Sequence, residues 1–413
     1  MQPVTPEERK YLRELAQRQR ECAGLDVMEK RRALWYRHNR CEDPTPLIVM
    51  EDLTFEKELL PPSQCTTPFA KELELTMNRI LTSHEKIGDD KVVPGYLPLE
   101  LKIDYDLFDG AVHIVHSEEE PDSVGYQYEH LIETLEEDFS KLRHSRYQFD
   151  PVQHQERVEM AEDILGDILP VKVKNHILEW NMMLTFNAVK LMGLENFMVE
   201  LASDPEGVER LMQFLQKDVE DFLDWMEENR LLTMNNENDY VGSGSYGFTD
   251  ELSCQDGRVT TQCLWGNFNS QESSSISPEM YARQIYPYYE NLAKRFGMVY
   301  YGCCEPVHVV WDKCLSKLPN LRKVSVSPWC DEDFMGQALK GKKIIYSRKP
   351  SPNFLGVQKE FDEAAFRDYI QKTLTAARDC TVEFIFRDVY TLHGNLEKPA
   401  RAVVIVRELI RNQ

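Results

Sequence analysis

The sequence predicts an α/β protein, a (β/α)8 TIM-type barrel with an N-terminal helical extension. Two observations predict it. From about residue 165 onward, apolar strand-like segments alternate with helical runs, the rhythm of parallel β/α units. The chemically distinctive residues, such as Asn235-Asn236, Cys303 to Glu305, Arg348-Lys349 and Arg387-Asp388, fall where those strands end, the place barrel enzymes put their sites.

Thr5 to Arg40 carries Glu, Arg, Leu and Ala at helical spacing, and a second amphipathic run covers about 70–87. Pro61-Pro62-Ser63 breaks structure between them. These runs make up the predicted extension, residues 1–90, and 91–413 is assigned to the barrel. Glu118-Glu119-Glu120 reads as an acidic solvent loop with His113 and His116 at its edge. Strands are then predicted at 231–235, 262–266, 298–303, 323–327, 343–347 and 382–386, and helices at 206–228, 278–296, 307–318 and 362–378.

The 413 residues, 42% of them hydrophobic, suffice for a large core. A formal net charge of −22 opposes binding to nucleic acid and to anionic membranes. The polar N-terminus and the lack of a spanning segment make a cytoplasmic location the expectation. Ten cysteines without repeating spacing fit a reducing compartment.

The densest chemistry is Tyr300-Tyr301-Gly302-Cys303-Cys304-Glu305-Pro306-Val307-His308, a strand running into two thiols, a carboxylate and an imidazole. Period two points Cys303 and Glu305 to one face and Cys304 to the other unless the strand has already turned. Pro306 ends the strand, and His308 enters the first turn of the following helix. Cys303, Cys304, Glu305 and His308 are thus candidate zinc ligands, a nitrogen, sulfur and carboxylate set. Against this, free cysteines commonly behave as small buried hydrophobes, and a strand-end Glu caps helices. Four such residues at one terminus favour a site.

Gly242-Ser243-Gly244-Ser245-Tyr246-Gly247 matches G-x-G-x-x-G, but Phe248-Thr249-Asp250-Glu251 opens no helix, so a dinucleotide site is rejected. The loop either lines the barrel mouth or is a mobile surface segment.

Asn235-Asn236, the loop from Tyr240 to Glu251, Leu264-Trp265-Gly266, Tyr301 to Pro306 and Ser325-Val326-Ser327-Pro328-Trp329 together resemble the uroporphyrinogen decarboxylase-like superfamily. The similar branch is that of corrinoid-dependent methyltransferases of anaerobes. The resemblance implies the barrel, methyl transfer with methylcobamide, and a zinc ion held by a His-x-Cys pair and a late cysteine. That pair falls on Tyr301 and Cys303, and the late cysteine near Tyr390-Thr391, so only Cys303 matches. Glu305, His308, Cys304, Cys330 or His393 would have to complete the set. The decarboxylase members anchor a polycarboxylate with N-terminal arginines that have no counterpart around Arg31, Arg32 and Arg37.

The expected function is therefore zinc-assisted methyl transfer between a small substrate and a corrinoid borne by a separate protein, in anaerobic metabolism. The alternative is a uroporphyrinogen decarboxylase-like lyase acting on a carboxylated small molecule, with Asp388 or Glu251 as acid. Glu305, His308 and Asp388 are the catalytic candidates. Asn236, Tyr240, Tyr246, Glu251, Trp265, Gln271, Glu272 and Trp329 are the substrate-binding candidates, although Trp and Tyr are more often core residues. No nucleic acid or membrane partner is expected, and the oligomeric state, a homodimer included, is left open.

Overall fold

The computed structural model describes residues 2–412 apart from 117–125 and 255, with the side chains of 116, 126, 179 and 180 also left undescribed. The Glu118-Glu119-Glu120 stretch lies outside the described residues. Eight short strands pair in parallel: β1 (Leu47–Met50), β2 (Leu97–Glu100), β3 (Val171–Lys174), β4 (Trp265–Phe268), β5 (Met298–Tyr301), β6 (Leu321–Val326), β7 (Ile345–Arg348) and β8 (Val382–Phe386). Six form one sheet in the order β1-β8-β7-β6-β5-β4, and β2 and β3 form a separate pair. Every residue of β1, β4, β5, β7 and β8 is buried. Burial of alternate residues alike means both faces are covered, as in parallel sheets flanked by helices.

Residues 1–90 are not wholly a helical extension. Helices Pro6–Ala23, Asp26–Asn39 and Pro68–Lys86 occupy the predicted positions, yet Leu47–Met50 joins the main sheet by pairing with β8. Segment 231–235 is also not a strand. There the Asn235 side chain stands in for a ladder: its amide donates to the Trp265 carbonyl at 3.0 Å, and its oxygen accepts the Trp265 N–H at 2.9 Å. On the other side, the Asn175 side chain donates to the Leu231 carbonyl at 2.8 Å. Among the described residues no backbone ladder joins the six-stranded sheet to the β2–β3 pair.

The predicted helix 278–296 divides into Pro278–Gln284 and Tyr286–Ala293, because Pro287 has no N–H to continue the first helix. That predicted at 307–318 shrinks to His308–Trp311 followed by a 3-10 turn at Leu315–Lys317. His113 and His116 lie in an antiparallel hairpin, opposite Glu129 and Tyr126. No helix among the described residues is long and apolar enough to cross a membrane.

The parallel register sets Leu47 beside Glu383, Glu383 beside Ser347, and Ser347 beside Ser325. Alternation along the strands therefore places Lys323, Ser325, Ser347 and Glu383 on one face, with Glu51, Ser327, Lys349 and Arg387 just past the strand ends on that same face. The glycine loop 242–247 packs onto this face and is no mobile surface segment. A Cβ on Gly242 (φ +59°) would meet Tyr300 Cδ1 at 1.6 Å, and one on Gly244 (φ +94°) would meet Ile385 Cγ2 at 2.3 Å. The glycines are what let the backbone lie so close.

Candidate functional site

The site begins where β5 stops. Gly302, at φ +101°, turns the chain in a conformation that side chains disfavour. The turn is braced on every side. Ser243 Oγ donates to the Gly302 carbonyl at 2.9 Å and Ser325 Oγ to the Cys303 carbonyl at 2.7 Å. Glu305 Oε1 accepts the Ser270 N–H at 2.9 Å, and Oε2 accepts the Cys303 N–H at 2.8 Å. Because the chain has turned, both thiols meet, with Cys303 Sγ and Cys304 Sγ 3.6 Å apart. Cys304 Sγ also lies 3.6 Å from Asp388 Oδ2.

From β8 comes Arg387, buried, with Nε 3.3 Å from Glu51 Oε2 and 3.4 Å from Asp388 Oδ2. Tyr240 donates its hydroxyl to Glu51 Oε1 at 2.8 Å. Lys349, past the end of β7, donates to the Tyr300 hydroxyl and, at 2.9 Å, to Ser347 Oγ. A cavity of about 250 Å³ opens beside Glu51, with Tyr96, Tyr240, Tyr246 and Lys91 among its walls.

The electrostatics separate the two thiols. The hydrogen bond from Cys304, helped by the Arg387 cation, holds Cys303 below the usual thiol range despite its burial. The same bond, with burial, holds Cys304 well above it. Burial, reinforced by the charge of Cys303, pushes Glu305 up to about 7. Burial also lowers Lys349 to about 7, against the pull of Glu383. At neutral pH the cluster therefore holds one thiolate, one thiol, a carboxyl close to half-protonated and an amine close to half-neutral.

The expected zinc set is not assembled. Both Glu305 oxygens are taken by backbone N–H groups, and His308 Nδ1 accepts the Asp331 N–H at 3.3 Å, with its ring against Phe334. Among the described residues no three His, Cys, Asp or Glu side chains converge so as to hold a metal ion. Cys330 faces the Glu305 carbonyl at 3.7 Å, and His393 Nε2 lies 3.0 Å from the Gly356 carbonyl.

Of the substrate-binding candidates, Tyr240 and Tyr246 are brought to the cavity. Asn236 braces the loop by donating to the Leu252 carbonyl at 3.2 Å. Glu251 pairs with Arg322, at the start of β6 and so at the opposite end from the site. Trp265 is core: its indole N–H donates to the Gly247 carbonyl at 2.9 Å. Glu272 accepts from Thr185 at 2.7 Å, Gln271 is solvent-exposed, and Trp329 is 72% exposed. Asp388 is in the cluster, but its neighbour Arg387 is the buried one.

Sequence reasoning missed Glu51 altogether and gave Lys349 and Arg387 no role. A signal existed: each is a charged residue immediately following an apolar strand, in phase with that strand's inward positions.

No protein family and no curated protein matches the chain by sequence. By structure it is similar to a methyltransferase from Methanosarcina mazei, with a TM-score of 0.51 at 12% identity over 91% of this chain and 98% of that one. The chain thus shares the fold of a methyltransferase.

Proposed function

We propose that the chain is a methyltransferase, moving a methyl group between a small molecule and a corrinoid carried by a separate protein. The observation that carries this reading is a pair of thiols, the buried Cys303 and its neighbour Cys304, 3.6 Å apart at the strand ends of the fold. The fold likeness to a methyltransferase supports the class. In this reading the β2–β3 pair and segment 231–235 complete a (β/α)8 barrel of the uroporphyrinogen decarboxylase-like superfamily, past an N-terminal extension. A cytoplasmic, anaerobic setting suits its ten unbridged cysteines, and a homodimer belongs to the same reading.

The corrinoid, when docked, supplies or accepts the methyl group. The chain's own residues manage protons around it. Cys303 takes the proton of an incoming hydroxyl or thiol as methyl leaves the corrinoid, and in the reverse direction its thiol returns that proton to the leaving group. Arg387, fixed by Glu51 and Asp388, compensates the thiolate charge. Asp388, one-third exposed, passes protons between Cys304 and solvent. No step is assigned to zinc, since the donors expected for it do not converge.

The test is incubation with a reduced corrinoid protein and candidate methyl donors, following the cobalt absorption. Methylation of cobalt is expected, falling about a hundredfold or more in Cys303→Ser. Absence of any cobalt change across ether, amine and thioether donors defeats the proposal. One observation favours a second reading, a lyase for a carboxylated small molecule. Arg387 Nη1 is a buried donor with no hydrogen-bond partner among the described residues, and a substrate carboxylate would supply one. Release of carbon dioxide without cobalt methylation would select it.

A further inference from the structure

The cavity beside Glu51 has an unusual lining. Four of its buried polar atoms, Glu51 Oε2, Ser83 Oγ, His84 Nδ1 and Asn238 Oδ1, have no hydrogen-bond partner among the described residues. Ser83 and His84 come from helix Pro68–Lys86, Glu51 from the end of β1, and Asn238 from the approach to the glycine loop. Buried polar atoms are normally paired, and four unpaired ones in one cavity mark a place where something else completes them.

The kinds of atom restrict what that is. Glu51 Oε2 and Asn238 Oδ1 only accept, so the occupant has to donate at least to those two. Ser83 Oγ accepts or donates. His84 is kept neutral by burial and by the nearby Arg31, so its Nδ1 also serves either way.

Each charged side chain lining the cavity already has a partner within the protein. Lys91 Nζ lies 3.1 Å from Asp52, Lys174 Nζ 2.7 Å from Asp239, Arg79 Nε 2.6 Å from Glu56, and Glu51 3.3 Å from Arg387. A charged ligand would find no free counter-ion and would lose hydration on entry. Tyr96, Tyr240, Tyr246 and Pro94 supply flat apolar walls instead.

We infer that this cavity binds the small-molecule methyl partner, and that the molecule is an uncharged flat ring bearing two or more hydroxyl donors. The assignment of a methyl partner rests on the methyltransferase reading; the binding preference does not. Tyr240, which lines the cavity and donates to Glu51, ties it to Arg387 and so to Cys303. A hydroxylated ring seated there reaches Cys303 only through that relay of Tyr240, Glu51 and Arg387.

The probe is catechol, titrated calorimetrically against the full chain, with benzoate and benzylamine as anionic and cationic rings of similar size. Catechol is expected to bind about tenfold or more tightly than either charged ring. Ser83→Ala and His84→Phe are each expected to weaken it about tenfold, the effect of leaving a hydroxyl unmatched. Equal or tighter binding of a charged ring overturns the inference. So does catechol affinity unmoved by both variants, or no catechol binding at all, which would leave water as the occupant. A failed cobalt assay with intact, variant-sensitive catechol binding would count against the methyltransferase reading alone.

Discussion

Two rows of buried charge lie on the same face of the sheet, and they differ in how they are closed. In the middle row Lys323 and Glu383 are both fully buried, 3.1 Å apart. Lys323 also donates to Ser245 Oγ at 2.6 Å and sits between the rings of Trp35 and Trp265, at 5.3 and 5.5 Å. His38 lies 3.3 Å from the same carboxylate. Although burial opposes it, Lys323 pulls Glu383 far below the ordinary carboxylate range. At the strand-end row the balance is different. Arg387 faces Glu51, Asp388 and the Cys303 thiolate together, so negative charge is in excess there. The middle row is sealed under the glycine loop, while the end row borders a cavity and solvent. Buried charge on this sheet is thus structural where the opposite signs match one for one and reactive where they do not.

The comparison breaks most plainly at Lys323. Lys323→Met leaves Glu383 buried without its ammonium partner and should cost about 3–5 kcal/mol of stability in urea unfolding. A loss below about 1 kcal/mol would mean that the middle row is not a structural pair.

Glu305 sharpens the contrast through pH. Its folded pKa, about 7, stands above the ordinary 4.5. The folded state therefore binds more protons across that window, and the stabilisation present below pH 4.5 is lost as pH rises through about 7. The loss should be about 3 kcal/mol. Unfolding at several pH values checks it: Glu305→Gln should lack this slope, and an unchanged slope would place the titration elsewhere.

Cys303→Ser should change stability by less than about 1 kcal/mol, since the volume and the backbone bonds are kept. It should nevertheless remove a thiolate absorption band that, in the parent, forms well below the ordinary thiol value of about 8.5. A parent titrating at the ordinary value would erase the distinction between the rows. Smallest of all, Trp329→Ala should shift stability by under about 0.5 kcal/mol, because the side chain is 72% exposed.

How much of this was legible in the sequence depends on the length of the signal. β5 to β8 were readable because each is an apolar run followed by a helix. β1 was not: Leu47-Ile48-Val49-Met50 is too short to be told from a piece of helix, and it sits among helical segments. Missing β1 meant missing Glu51. The Cys-Cys-Glu run was found by composition, but its geometry depended on Gly302, whose positive φ ends the period-two alternation one residue before the thiols. That the candidate zinc donors do not converge has a related reason. Sequence spacing cannot reveal that Glu305 spends both oxygens on backbone N–H groups. The glycine loop was read as opening no helix, but its burial depends on Tyr300 and Ile385, residues far along the chain.

The pairing of β1 with β8 carries a consequence for biosynthesis. Leu47 aligns with Glu383, so an early-made strand waits, unpartnered on that edge, until nearly the whole chain has left the ribosome. Glu51 and Arg387, the ion pair joining cavity to thiolate, ride on those same two strands. The ion pair thus forms only when the clasp shuts, and a chain cut short of β8 would lack it.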